Sequence, residues 1–148
     1  MNNEIESLLP HREPFLFVDE IVSADKEKIT ARHVFTEREF FFKGHFPQYP
    51  VVPGVILIET LAQSGGAGLR KLGVLGGDAL FFLGSVDKVK FRRQVRPGDE
   101  VRCEIENLRV SPRMIKQAGK AYVGEELAAE AEWLCLVGSA AGAQENSN

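Results

Sequence analysis

The sequence predicts an α+β fold in which a long antiparallel sheet curls around one long buried helix. Two observations carry this. The stretch from Pro53 or Gly54 to about Leu72 is apolar on nearly every side, the pattern of a helix enclosed by the rest of its domain rather than lying on the surface. The segments that follow, Leu80 to Val86, Lys88 to Arg93, Glu100 to Val110, Ile115 to Val123 and Leu127 to Val137, read as strands, and turn sequences such as Pro97-Gly98-Asp99, Ser111-Pro112-Arg113 and Gly124-Glu125-Glu126 separate them. Short turns between consecutive strands imply antiparallel pairing, and a helix this apolar has to be covered by the sheet.

The remaining elements follow in order. Ile5 to Leu9 predicts a turn or two of helix closed by Pro10. Phe15 to Val18 with Ile21 and Val22 suggests a strand, Asp25 to Lys28 a turn, and Ile29 to Phe35 a returning strand. Phe40, Phe41 and Phe42 stand in a row in a segment too short to assign; they either line a pocket or fill the core. Pro53 suits the first helical position. The small run Ser64-Gly65-Gly66-Ala67-Gly68 lets another backbone approach the helix closely. Residues 1–138 are expected to form a single domain, and the small, polar stretch 139–148 a disordered tail.

Composition narrows the function classes. The chain has 148 residues, 44% hydrophobic and 26% charged, as in a soluble globular domain, and its net charge of −3 argues against nucleic acid as the main partner. The acidic, polar start Met1 to Glu6 is unlike a secretory signal. The most apolar window, Val51 to Ala62, is too short to cross a bilayer and is interrupted by Pro53 and Glu59. A cytoplasmic protein without membrane contact is expected. Cys103 and Cys135 lie far apart with no His or Cys at metal-ligand spacing, which predicts buried, reduced thiols and no metal site.

The candidate chemistry lies where the helix begins. Gly44-His45-Phe46-Pro47-Gln48-Tyr49-Pro50-Val51-Val52-Pro53-Gly54 is an irregular loop stiffened by its prolines, and it feeds a helix holding one carboxylate, Glu59. A charge in apolar surroundings costs several kcal/mol unless paired, so Glu59 needs partners or a task. His45 has the side chain best suited to taking and returning a proton near neutrality, and an apolar setting raises a carboxylate's pKa so that Glu59 can act as an acid. The helix start leaves the N–H groups of Gly54 and Val55 without intrahelical acceptors, and such donors stabilise an oxyanion. Base, acid and oxyanion donors form the set needed to remove a proton α to a carbonyl and expel a β-hydroxyl. From spacing alone, a structural histidine and a structural glutamate remain the alternative.

The residues also resemble a known family. Gly44-His45-Phe46-Pro47, Pro50-Val51-Val52-Pro53-Gly54-Val55 and Glu59-Thr60-Leu61-Ala62-Gln63 resemble the signature of the (3R)-hydroxyacyl-acyl-carrier-protein dehydratases of the FabZ type. Leu9-Pro10-His11-Arg12 through Asp19 resembles that family's opening, and Gly84 to Phe91 with Val95 to Asp99 its second half. The resemblance implies a hot-dog fold, and a dimer, usually a trimer of dimers, in which His45 of one chain meets Glu59 of the other. It also implies dehydration of a β-hydroxyacyl thioester to the trans-2-enoyl thioester in type II fatty-acid synthesis. In that scheme His45 takes the α-proton, Glu59 assists departure of the hydroxyl, the Gly54 amide polarises the thioester carbonyl, and no cofactor is needed. The sister family that also isomerises the double bond carries Asp at the Glu59 position and Cys at the Val55 position; this chain follows the plain dehydratase at both. It departs from the family at Gln48, where glycine is usual, at Arg38, where asparagine is frequent, and at Gln94, where proline is common.

The basic run Lys88, Lys90, Arg92, Arg93 and Arg96 has two readings. With Lys88, Lys90 and Arg92 on one strand face and Val89 and Phe91 on the other, it is either a solvated edge that resists aggregation or a docking patch for an acidic acyl carrier protein bearing a phosphopantetheine-linked chain. His11 and His33 have no evident partner and read as structural. A hot-dog acyl thioesterase and a non-catalytic acyl-thioester sensor are the alternatives to a dehydratase; the His45–Glu59 pair and the absence of a DNA-binding segment weigh against them.

Overall fold

The computed structural model describes residues 3–76 and 78–139. Helix α1 (Asn3–Leu8) leads to strands β1 (Glu20–Ala24) and β2 (Lys28–Val34) and a short 3-10 helix (Phe40–Lys43). The long helix α2 (Gly54–Lys71) and strands β3 (Ala79–Phe91), β4 (Glu100–Val110), β5 (Met114–Val123) and β6 (Glu126–Ser139) complete the chain. The strands form one six-stranded sheet in the order β1-β2-β4-β5-β6-β3, with every pair antiparallel. The expected disordered tail beyond Ser139 lies outside the described residues.

α2 starts after Pro53, whose extended backbone (φ −57°, ψ 139°) turns the chain into the helix. It stops where Gly73 takes φ 80°. Val74 N–H then reaches Leu69 O (3.1 Å) and Gly73 N–H reaches Arg70 O (3.0 Å), closing the last carbonyls in a Schellman motif. From Ile56 to Leu69 the helix is buried except at Ile58 and Glu59. Phe17, Phe35, Leu61 and Trp133 are among the side chains fully enclosed around it. The small run approaches the sheet closely, but side chains rather than another backbone fill the space. A Cβ on Gly65 would stand 2.2 Å from Gln117 Oε1, and one on Gly66 2.1 Å from Phe81 Cζ.

Three local expectations are corrected. Phe15 to Val18 is irregular rather than a strand, because its backbone groups pair with a helix side chain: Phe17 N–H donates to Gln63 Oε1 (2.8 Å) and Gln63 Nε2 donates to Phe15 O (3.2 Å). β3 is one continuous strand with a bulge between Asp87 and Lys90, where Lys88 takes φ 54°. That bulge breaks the alternation expected of Lys88, Lys90 and Arg92, since one residue is displaced from the ladder. Phe41 and Phe42 are core, whereas Phe40 is half exposed.

Candidate active site

The loop between the 3-10 helix and α2 is held at both ends. His45 N–H bonds Phe41 O (3.0 Å), Val51 N–H bonds His45 O (3.0 Å), and Val52 N–H bonds Val95 O (2.8 Å). Within it, Phe46 and Tyr49 exchange backbone bonds across Pro47 and Gln48, and Gln48 needs no positive φ. Gln48 in place of the usual glycine therefore leaves the turn intact. Gln94, where the family often has proline, accepts a hydrogen bond from Tyr49 Oη at 2.7 Å, and the Arg96 guanidinium lies 4.1 Å above the Tyr49 ring. The departure at Gln94 thus gains a clamp on the histidine loop.

His45 stacks on Phe46 with centroids 4.3 Å apart, and its Nδ1 is 3.2 Å from Val51 O. A carbonyl only accepts, so the proton belongs on Nδ1 and Nε2 keeps its lone pair. That is the tautomer a general base needs.

Glu59 sits on the α2 turn that faces the N-terminal segment. Gln63 Nε2 donates to Glu59 Oε2 at 2.9 Å, while the same amide is fixed by Phe15 O and Phe17 N–H. Burial pushes the Glu59 carboxyl above its ordinary value, and the Gln63 hydrogen bond offsets only part of this. Among the described residues no hydrogen bond or ion pair joins His45 to Glu59 within the chain. The chain therefore holds the His45 ring and the Glu59 carboxyl in separate, separately oriented places.

Gly54 and Val55 open α2, and neither N–H has an acceptor among the described residues. The Phe91 ring lies over Gly54, where a Cβ would come within 2.8 Å of Cζ, and Val55 points into solvent at 71% exposure. Glycine at this position keeps the helix start open between the ring and the loop.

The basic run is largely neutralised by its neighbours. Lys88 pairs with Glu132 (3.1 Å), Arg92 with Glu130 (2.8 Å), and Arg93 with Glu126 (3.5 Å) and Asp99 (3.9 Å). No ion pair reaches Lys90 or Arg96 among the described residues. Neither of the two remaining histidines is isolated, contrary to the expectation. His33 lies between Asp19 (3.0 Å) and Glu39 (3.5 Å), and His11 Nε2 lies 3.6 Å from Glu59 Oε2. Sequence spacing gave no signal of either contact, because all three partners lie on other elements. Cys103 and Cys135 are free, buried thiols, and no cluster suited to a metal ion occurs among the described residues. No helix among them is long and apolar enough to cross a membrane.

A six-stranded antiparallel sheet around one long helix, with a lone carboxylate on that helix, defines a hot-dog protein. The dehydratase heterocomplex ApeI:P from Xenorhabdus doucetiae has the same fold, with a TM-score of 0.82 over 97% of each chain at 14% identity. The FabA-like domain model matches residues 9–132. The 3-hydroxyacyl-[acyl-carrier-protein] dehydratase FabZ of Desulforamulus reducens is 46% identical over 138 residues, covering 92% of this chain and 96% of the relative. The enzyme of the same name from Pelotomaculum thermopropionicum is 46% identical over 136 residues, covering 91% and 96%. The chain belongs to the FabA-like family, in its FabZ-type dehydratase branch.

Proposed function

We propose that this protein removes water from (3R)-3-hydroxyacyl chains carried on acyl carrier protein, giving the trans-2-enoyl thioester of fatty-acid elongation. The observation that carries the reading is Glu59: a lone, mostly buried carboxyl that burial keeps inclined to hold a proton, oriented by Gln63 on the helix that also supplies free N–H groups. His45 Nε2 takes the α-proton. Glu59 gives its proton to the departing β-hydroxyl, which leaves as water. The Gly54 and Val55 amides stabilise the enolate oxygen of the thioester. His45 then releases a proton to solvent and Glu59 regains one, so the cycle is proton-neutral.

His45 and Glu59 meet when two chains pair. β3 is a sheet edge, and Phe82, Leu83 and Phe91 on it are about half exposed. An unpaired edge of this length favours pairing with a second copy. Such a dimer, with His45 of one protomer facing Glu59 of its partner, assembles further as a trimer of dimers. Residues 1–138 act as one domain. A cytoplasmic setting fits Cys103 and Cys135, which remain thiols there. Docking of the acidic carrier falls to Lys90 and Arg96 within the run, since Lys88, Arg92 and Arg93 are already paired.

The test is hydration of crotonoyl thioester, read as loss of the conjugated double bond's absorbance, in the wild type, His45→Ala and Glu59→Gln. Activity in the wild type and its loss in both folded variants is the expected result. Thiol release without hydration would assign a thioesterase, and tight thioester binding without turnover a sensor.

A further inference from the structure

His11 belongs to the segment after α1, and its position is fixed independently of Glu59. Arg12 Nη1 donates to both Leu9 O and His11 O at 2.7 Å, so one guanidinium clasps the turn that carries the histidine. The ring packs against Phe81 with centroids 5.8 Å apart. From there Nε2 lies 3.6 Å from Glu59 Oε2, the oxygen that already accepts from Gln63. His11 Nδ1 is buried with no partner.

We propose that His11 is a positioning residue for Glu59: its Nε2–H and the Gln63 amide both point at Oε2, leaving Oε1 as the oxygen that carries and delivers the acid proton. The inference rests on the dehydratase reading given above. An unpartnered, buried Nδ1 is less costly without a proton than with one, which puts the proton of the neutral ring on Nε2, where Glu59 can accept it. At 3.6 Å the contact is longer than a formed hydrogen bond, as catalytic contacts commonly are before substrate binds. No hydrogen bond reaches Oε1 among the described residues.

The surroundings disfavour charge on both groups. Burial, then the Arg12 charge, pushes the His11 imidazole below its ordinary value, and burial pushes the Glu59 carboxyl up. The titratable group facing them from the sheet is the Cys135 thiol on β6, pushed up to about 11 by burial and by Glu59, so it stays protonated. A carboxylic acid whose carbonyl oxygen accepts from Gln63 and, once the contact tightens, from His11 has one place left for its proton. His11 and Gln63 thereby choose the oxygen that does the chemistry, and neither touches the reacting atoms.

The experiment compares pH–rate profiles for crotonoyl thioester hydration in the wild type, His11→Gln and His11→Leu, with 15N spectra of the histidine rings in the wild type. The expected results are a drop in kcat of about tenfold or more in His11→Leu with little change in KM, and a basic limb moved up by about one pH unit, because the carboxylate loses a donor. His11→Gln, which keeps an N–H donor, recovers most of the rate and the wild-type limb, and the His11 ring carries its proton on Nε2. A proton on Nδ1, a His11→Leu profile that superimposes on the wild type, or equal damage in both variants overturns the inference. An inactive wild type would overturn the dehydratase reading itself, a result distinct from all of these.

Discussion

His33 makes folding stability depend on pH in a direction opposite to ordinary acid denaturation, and the size of the effect follows from its contacts. Burial alone would disfavour its charged form, but the Asp19 hydrogen bond and then Glu39 outweigh burial and raise the pKa from 6.5 to about 9. A group whose folded pKa exceeds its unfolded value binds its proton more tightly in the native state. The contribution is therefore complete below pH 6.5 and is lost as pH rises through about 9. At 1.36 kcal/mol per unit the shift corresponds to about 3 kcal/mol at most. Asp19 is 39% exposed in its side chain, so solvent screening reduces this to about 1.5–3 kcal/mol. The Asp19 pKa is lowered, since hydrogen bonds from His33 and from Val34 N–H outweigh its own desolvation. Its contribution is lost only in acid, outside this window. Urea unfolding at pH 6, 7.5 and 9 measures the loss in the wild type and in His33→Gln. The variant should lose the slope attributable to this residue, while every other titration is common to both proteins. A wild type equally stable at pH 6 and pH 9, or the same slope in the variant, would refute the reasoning. The consequence reaches the site, because Glu39 immediately precedes the 3-10 helix whose Phe41 carbonyl holds the His45 amide.

Other perturbations have equally definite outcomes. Glu59→Gln should raise stability at neutral pH: a carboxyl with a raised native pKa destabilises the fold above that pKa, and the difference from wild type should vanish in acid, below the unfolded value. Gly65→Ala should destabilise by about 1–3 kcal/mol in urea despite a gain of about 1 kcal/mol in helix propensity. Its Cβ meets Gln117, which cannot withdraw without breaking bonds to Gly65 O, Asn107 Oδ1 and Trp133 Nε1. Lys90→Glu, which leaves the Arg96–Tyr49 contact in place, should raise KM for the carrier-protein thioester by about threefold or more while leaving a short pantetheine thioester unaffected; equal effects on both substrates would remove Lys90 from docking.

The helix and the strands β4, β5 and β6 were legible because each rests on local signals, an apolar run with a proline start and turn residues at strand ends, and His45 and Glu59 could be singled out as candidates because their motif residues lie close together in the chain. What escaped is non-local. Phe15 to Val18 has the composition of a strand, yet a glutamine on a distant helix satisfies its backbone, and no periodicity records that exchange. Lys88 looked like one tooth of an alternating face until the bulge displaced it. The partners of His11 and His33 are far away in sequence or on other elements, so neither contact leaves a spacing to read. The basic run shows a different limit, because its net positive look ignores Glu126, Glu130 and Glu132, which the β3–β6 pairing brings alongside.

Gln63 joins the two lessons. Its amide makes three hydrogen bonds, to Phe15 O, Phe17 N–H and Glu59 Oε2. The Phe17 bond forces the amide oxygen toward the N-terminal segment and therefore the NH2 group toward Glu59. The same bonds that replace the expected strand thus set the orientation of the Glu59 carboxyl. A carboxylate or an apolar side chain at this position would lose both N–H donors, free the segment that carries His11, and leave Glu59 to ionise or rotate unassisted. Fold and chemistry meet in one side chain, one helical turn from the group it serves.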